Sequence, residues 1–464
     1  MIAGLKPYAE YRDSALPWLP KIPAHWQTMR NGSLFGQRSE TGYSDLPILE
    51  VSLKTGVRVR AFGSEGRKQV MSDLAKYKRA AKGDLAYNTM RMWQGAVGDC
   101  PVDGLVSPAY VVASPRSGAE SAYFAAMFRT SAYLAEIDGA SRGIVKDRNR
   151  LYWEQFKQMR SPCPPPAEQG AIVRFLVWAN GRLERAIRAK RKVIALLNEQ
   201  KQAVIHRAVT RGLDPSAPLK PSGVPWLGGI PRHWEVAALR RYWSVTDCKH
   251  LTVPFVDDGV PLASVVEVQK FSLDLSQCKR TRPDWYRVLI EGDRKPRRGD
   301  LIYCRNASVG ACALVDSDID FAMGQDVCLI RSTTQNQRFL NYVLHSPFMA
   351  HQLEQLLVGS TFKRINVSEI KALAVIVPPR HEQDAICESL DADLAAFDAV
   401  SSRMHREIDL LREYRVSLIA GVVTGKLDVR EAARQLPEVP LSDAATEPDD
   451  EVDEAELDDE ETTA

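Results

Sequence analysis

The decapeptide PWLPKIPAHW at 17–26 returns as PWLGGIPRHW at 225–234, and this return decides how the whole chain is read. Three further blocks follow in the same order: GDLAY (83–87) as GDLIY (299–303), EQGAI (168–172) as EQDAI (382–386), and TRGLD (210–214) as TGKLD (424–428). The offsets are 208, 216, 214 and 214 residues. A repeat of about 210 residues is too long for a solenoid unit, and long enough for a globular domain with a connecting element. Such a duplication presents two similar surfaces, and the partner it suits has two sites of its own.

Each half opens on a proline- and tryptophan-rich lead-in and continues through short apolar runs such as AYVVA (109–113) and DVCLI (326–330), punctuated by glycine and aspartate turns. A proline step, PCPPP at 162–166 and PPR at 378–380, then admits a fresh helix start, with Glu168 and Glu382 placed to favour its N-terminal dipole. Beyond each step the apolar positions recur at three-four spacing. In the first segment they include Leu176, Leu183, Ile187, Ile194 and Leu197; in the second, Leu390, Leu394, Phe397, Ile408 and Leu411. Over about five heptads this is a coiled-coil seam. Asn180 and Lys190 interrupt the first seam where the second has Leu394 and Met404. Residues 168–212 carry +7 and residues 377–430 carry −3, so the two helices suit each other better than either suits its own copy.

The expected fold class is therefore α+β: two mixed α/β domains separated by two long antiparallel helices that form one intramolecular coiled coil. The expected boundaries are a first domain at 1–165, a helix at 166–210, a linker and second domain at 211–378, a second helix at 379–428, and an acidic tail at 429–464. Residues 431–464 hold fourteen acidic side chains against the single Arg434, too much charge for a packed core. The net charge of +2 thus conceals a body, 1–430, of about +15. A basic body suits a polyanion, although charge alone does not separate that from an ordinary solvated surface.

The eight scattered cysteines form no Cys-x-x-Cys pair and share no spacing between halves, so reduced thiols are expected and no metal site. No apolar run reaches the ~18 residues of a membrane span, and the start has no signal pattern, so the chain reads as cytoplasmic. There is no GxxxxGK[ST] loop, no HExxH pair and no Asn/Asp-Pro-Pro-aromatic tetrapeptide, so no catalytic residue is assigned. Trp18, Trp26, Trp226 and Trp234 read as packing anchors, and His25 and His233 as buried structural histidines beside them. The alternatives are a Mg²⁺ nuclease using Glu369 and Lys371, for which Glu199 and Lys201 offer the same spacing, and a coiled-coil scaffold without a DNA role.

Taken together, the lead-in SGVPWLGGIPRHW (222–234, with a weaker copy at 14–26), the GDL-apolar-Tyr block and the proline step into Glu-Gln and a long helix, all duplicated, resemble the specificity subunit of type I restriction–modification systems. The likeness covers the chain to about residue 430, and departs from the pattern at Ala15, Pro20, Lys21 and the acidic tail. The resemblance implies a non-catalytic chain in which each domain reads one half of a bipartite double-stranded DNA target. It implies helices that set the gap and dock two methylation subunits. S-adenosylmethionine, ATP and Mg²⁺ would sit on the methylation and restriction subunits, with no cofactor on this chain and no membrane partner.

The DNA-contact candidates are basic residues near glycines or after apolar runs. In the first domain they are Lys54, Arg58, Arg60, Lys76, Lys78, Arg79, Arg91, Arg142 and Lys146. In the second they are Lys279, Arg280, Arg282, Arg294, Arg298, Arg305, Asn306, Lys363 and Arg364. Arginine and asparagine are the side chains that pair bidentately with guanine and adenine.

Overall fold

The computed structural model describes residues 5–60, 74–143, 149–357 and 364–437. Two compact units divide the chain, Met1–Ala189 with Arg406–Ala464, and Lys190–His405. In the first unit a four-stranded antiparallel sheet runs in the order Phe35–Arg38, Tyr110–Pro115, Leu85–Asn88, Val97–Asp99. The second unit repeats it as Ser244–Asp247, Val327–Arg331, Leu301–Cys304, Cys312–Leu314. The GDL block supplies the third strand of each sheet. Its glycine turns the chain at positive φ, +84° at Gly83 and +91° at Gly299. Its buried aspartate then closes the turn: Asp84 accepts from the Ala81 amide at 2.9 Å, and Asp300 from the Arg297 amide at 2.7 Å.

A separate two-stranded ladder ties each lead-in to its proline step. Gln27–Arg30 pairs antiparallel with Arg160–Cys163, and Glu235–Ala238 with Ala374–Val377. Around these duplicated pieces the units differ. The first carries a hairpin of Leu49–Ser52 and Gly56–Val59 and a pair of Lys78–Ala80 and Gly104–Val106. The second carries instead a mixed sheet of Phe255–Val256, Arg280–Thr281, Val260–Ala263 and Ala322–Met323, whose last pair is parallel.

The long helices run over Pro166–Arg211 and Arg380–Val423. Within the first unit Leu176 and Ala179 share a core with Leu418 and Val422, and Glu184 pairs with Arg415. Within the second, Ile205 and Val209 share a core with Leu390 and Leu394, and Lys201 Nζ meets Asp398 at 2.7 Å. In each unit an earlier residue of one helix meets a later residue of the other, which is an antiparallel pairing; the basic helix supplies the cation at Lys201–Asp398 and the acid at Glu184–Arg415. Of the seam positions, Leu176, Leu183, Ile187, Leu390, Leu394 and Ile408 are buried; Ile194, Leu197, Phe397 and Leu411 are half-buried. The seam residue Asn180 keeps a buried Oδ1 without a hydrogen-bond partner, where its repeat counterpart is Leu394.

Four expectations need correction. Val429 and Ala433 are buried in the first unit's core, with a short helix over Arg430–Arg434, so the packed body extends past 428; residues 438–464 lie outside the described residues. Trp26 and Trp234 are buried and Trp18 half-buried on Tyr133, but Trp226 is 43% exposed, with the His351 ring against its own at 5.0 Å. His25 and His233 are not buried: their side chains are 39% and 50% exposed, because each ring reaches out to a helix-terminal carboxylate. Glu369 is spoken for as well. It accepts from the Asn366 amide at 2.6 Å in a capping box on the helix Val367–Ala372, and Glu199 is exposed on the first long helix, so neither joins a carboxylate cluster.

The weaker first lead-in has a structural cost. Ala15 sits at φ +60° where its counterpart Gly223 sits at +78°, and a Cβ in this region costs roughly 1–2 kcal/mol. Glycine restores entropy to the unfolded chain, which offsets part of the gain. Ala15→Gly is expected to stabilise the protein by about 0.5–1 kcal/mol in urea unfolding. An unchanged or lower midpoint would show that the left-handed alanine carries no strain.

Candidate nucleic-acid interface

The Glu-Gln pair that opens each long helix is the joint on which each unit is assembled. Glu168 is buried and accepts three side-chain donors: Tyr8 Oη at 2.6 Å, His25 Nε2 at 2.7 Å and Trp26 Nε1 at 2.9 Å. Glu382 accepts from His233 Nε2 at 2.7 Å and Trp234 Nε1 at 2.9 Å. The neighbouring glutamines are fully buried. Gln169 accepts from the Glu120 amide and donates to Pro164 O, while Gln383 accepts from the Asn336 amide and donates to Pro378 O. One dipeptide thus fixes lead-in, proline step and helix together, which explains its recurrence without any chemistry.

The basic candidates fall into separate groups. In the first unit, Lys54 lies in the exposed turn between Leu49–Ser52 and Gly56–Val59, a turn held from behind by Arg129 Nη2 on Lys54 O at 2.7 Å. Arg58 is paired to Glu50 on the neighbouring strand, and Arg60 is half-buried with its amide on Ile48 O. Arg79 bridges Glu40 at 2.9 Å and Asp103 at 3.1 Å. Those contacts hold both acids below the ordinary carboxylate range, Glu40 chiefly through Arg79, and Asp103 chiefly through the Lys82 amide and then Arg79. Lys78 donates to Tyr110 O at 2.7 Å, and its burial lowers its pKa. Lys76 is exposed and Arg91 half-buried. Arg142 is exposed and pairs backbone to backbone with Arg150; Lys146 lies outside the described residues.

In the second unit four candidates converge. Arg305 is 3% exposed, with Nη1 at 3.4 Å from Asp247 and Nη2 at 3.2 Å from His250. Arg294 Nε donates to the Asp247 carbonyl at 2.9 Å. Asn306 donates to Asp326 at 3.3 Å and bridges to Arg364, whose guanidinium lies 3.8 Å from the same carboxylate. Arg305 is therefore a buried organiser of this loop cluster, while Asn306 and Arg364 stand at its surface. Lys279, Arg280 and Arg282 belong to the mixed sheet instead. Lys279 lies 4.5 Å over the exposed Phe255 ring, Arg280 donates to Gly259 O and Arg282 pairs with Asp284. Arg298 is exposed beside Asp318, and Lys363 lies outside the described residues.

Asp247, Cys248 and His250 bring three donor atoms within 4.8 Å of one another. Arg305 already holds two of the three, so a cation here would have to displace a buried guanidinium, and burial raises the Cys248 thiol pKa away from the thiolate a metal needs.

Arg150 is absent from the sequence-based candidates, and the structure adds it. The Leu151 amide donates to Thr89 O at 2.9 Å, as the Ile365 amide donates to Arg305 O at 2.9 Å, each immediately after the GDL strand. Arg150, exposed, is therefore the counterpart of Arg364. The signal was present as Arg-Leu at 150–151 against Arg-Ile at 364–365, at the same 214-residue offset as the helix blocks.

Residues 288–403, which include Arg294, Arg305, Asn306 and Arg364 of this cluster, the Glu382-Gln383 pair and half of the second long helix, match the family model described as the type I restriction modification DNA specificity domain. Over these residues the chain is similar to the DNA specificity domains of type I restriction–modification systems. It is 23% identical over 286 residues to the type I restriction enzyme MjaVIII specificity subunit of Methanocaldococcus jannaschii, covering 59% of this chain and 64% of that protein. It is 22% identical over 212 residues to the EcoKI specificity subunit of Escherichia coli K12, covering 43% and 44%. The aligned stretch thus spans less than two thirds of the length of these specificity subunits. A solved structure reported for complex assembly and conformational transition of the type I R-M system superposes with a TM-score of 0.64 at 16% identity, over 88% of this chain and 99% of that one. At that identity the superposition speaks for a shared fold alone. No helix among the described residues is long and apolar enough to cross a membrane.

Proposed function

We propose that this chain is the sequence-specific DNA-binding subunit of a type I restriction–modification complex, without catalytic residues of its own. Each unit reads one half of a bipartite duplex target. The paired helices set the gap between the halves and dock two methylation subunits. S-adenosylmethionine, ATP and Mg²⁺ act on the methylation and restriction subunits, and the complex works in the cytoplasm. The expected division into two reading domains, two spacer helices and an acidic tail belongs to the same reading.

The observation that carries the proposal is the contrast between frame and insert. Both units keep the same four-stranded order, lead-in ladder and Glu-Gln joint, yet the four further strands beside them differ in pairing and direction. A scaffold that only held two subunits apart would have no use for that divergence. Readers of two unrelated half-sites require it, because sequence is read by local side chains while the frame sets register. Among the candidates, the exposed Arg150 and Arg364 on equivalent loops suit phosphate contact, and the Asn306 region suits base-edge contact.

The test is salt dependence. Affinity of the assembled complex for its target should fall linearly in log–log form with salt, and Arg150→Ala or Arg364→Ala should each lower the slope by about one while leaving the preferred sequence unchanged. A complex without sequence preference would support the scaffold reading instead.

A further inference from the structure

The two lead-ins can be aligned beyond the tryptophans. LKPYAEYRDSALPWL at 5–19 matches LDPSAPLKPSGVPWL at 213–227 at the offset of 208, with Leu, Pro and Ala shared at the first, third and fifth positions. This alignment places Ser216 where the first unit has Tyr8, and the consequence is visible in the structure.

In the first unit Tyr8 is buried, its hydroxyl donating to Glu168 at 2.6 Å. Its ring lies edge-on to Trp26 at 5.9 Å, and the Arg430 guanidinium covers it at 5.0 Å. In the second unit Ser216 is exposed and turns away, its hydroxyl on Asp214 at 2.6 Å. The place of the phenol is a cavity of about 340 Å³ lined by Arg211, Asp214, Trp234, His381, Glu382 and Ile386. That volume falls in the lower part of the range for ligand pockets, ~300–1,000 Å³. Glu382 is 30% exposed where Glu168 is 5%, and each of its oxygens accepts one donor, which leaves acceptor capacity facing the cavity. Leu213 is 49% exposed, whereas both first-unit leucines aligned with it, Leu5 through the lead-in and Leu427 through the TRGLD block, pack against the core.

We propose that the cavity beside Glu382 is a docking site for a tyrosine side chain presented by a partner polypeptide, with its hydroxyl on Glu382 and its ring on Trp234. The first unit is the filled form of the same site, which is what fixes the ligand class. An aliphatic side chain would leave the carboxylate unanswered, and an acidic one would be repelled by Glu382 and Asp214. Arg211 and His381 stand in the lining where Arg430 covers Tyr8. This inference does not depend on DNA reading, and its failure would leave that reading intact.

N-acetyl-tyrosinamide, titrated into the full chain while the Trp234 indole N–H is followed by NMR, tests it. Saturable binding is expected with a Kd on the order of 1 mM, and at least about fivefold weaker binding of N-acetyl-phenylalaninamide, the loss of one charge-assisted hydrogen bond. Glu382→Gln should shrink that preference. Ser216→Tyr should abolish binding of both probes and raise the unfolding temperature, since the chain then fills its own site. Absence of saturable binding, equal affinity for both probes, or unchanged binding in Ser216→Tyr would each overturn the proposal.

Discussion

Glu168→Ala should destabilise the first unit by about 4 kcal/mol, the largest single-residue effect expected in this chain. The carboxylate is 5% exposed and is shared by a tyrosine hydroxyl, an indole N–H and an imidazole, all within 2.9 Å. Its removal strands the buried Tyr8 hydroxyl and Trp26 indole N–H, which cannot reach water without opening the core, and each stranded buried donor costs about 1–3 kcal/mol, whereas the partly exposed His25 can turn to solvent. It also removes a favourable charge from the first turn of a 46-residue helix. The control is built into the duplication. Glu382→Ala removes a half-exposed carboxylate with two partners and should cost about half as much. Unfolding in urea with both variants checks the contrast, and equal losses would show that the third donor, Tyr8, contributes nothing.

The second large effect concerns the helices. Four residues inserted into both, at facing positions beside the Glu184–Arg415 pair, keep the antiparallel pairing in step and lengthen each helix by about 6 Å. If the helices set the gap, the recognised sequence should gain about two base pairs between its halves, at ~3.4 Å per step, with both halves unchanged. The same insertion in one helix only should damage folding instead, because four residues do not complete a heptad and the seam on one side would face the wrong partners. The methylated motif of cells carrying the double insertion reports the result. An unchanged gap would remove the spacer role.

How far the sequence led differs between frame and surface, for physical reasons. The long helices were legible to within a few residues, since three-four periodicity and a proline start are local signals and the repeat states them twice. The GDL turns were legible for the same cause: a glycine at positive φ and an aspartate that closes its own turn need no distant residue. The surface was not legible. Arg58, Arg79 and Arg305 read as free cations in the sequence, yet their carboxylates lie 8, 39 and 58 residues away in the chain, at positions that only the folded pairing brings beside them. Arg150 is marked by repeat register, a signal that exists only in comparison with the second half of the chain. The histidines were placed inside because aromatic neighbours suggest burial, whereas each one serves the outer oxygen of a helix-terminal glutamate.

The duplication thus divides into a frame that tolerates little change and inserts that differ freely between units. Side chains that hold the frame, such as Asp84, Asp300, Gln169 and Gln383, are buried and fully engaged. The inserts and the loops beside them hold the basic candidates for DNA contact. Sequence selectivity should therefore follow the insert and not the frame.

Exchange of one insert, carried together with the four-stranded sheet beside it, measures this directly. Residues 239–373 would be replaced by the corresponding segment of another specificity subunit whose target differs, with the ladder strands and both long helices kept, and the bound or methylated sequence read from a random DNA pool. One half of the bipartite target should change, with the other half and the gap preserved. A change in both halves, or in neither, would contradict the account.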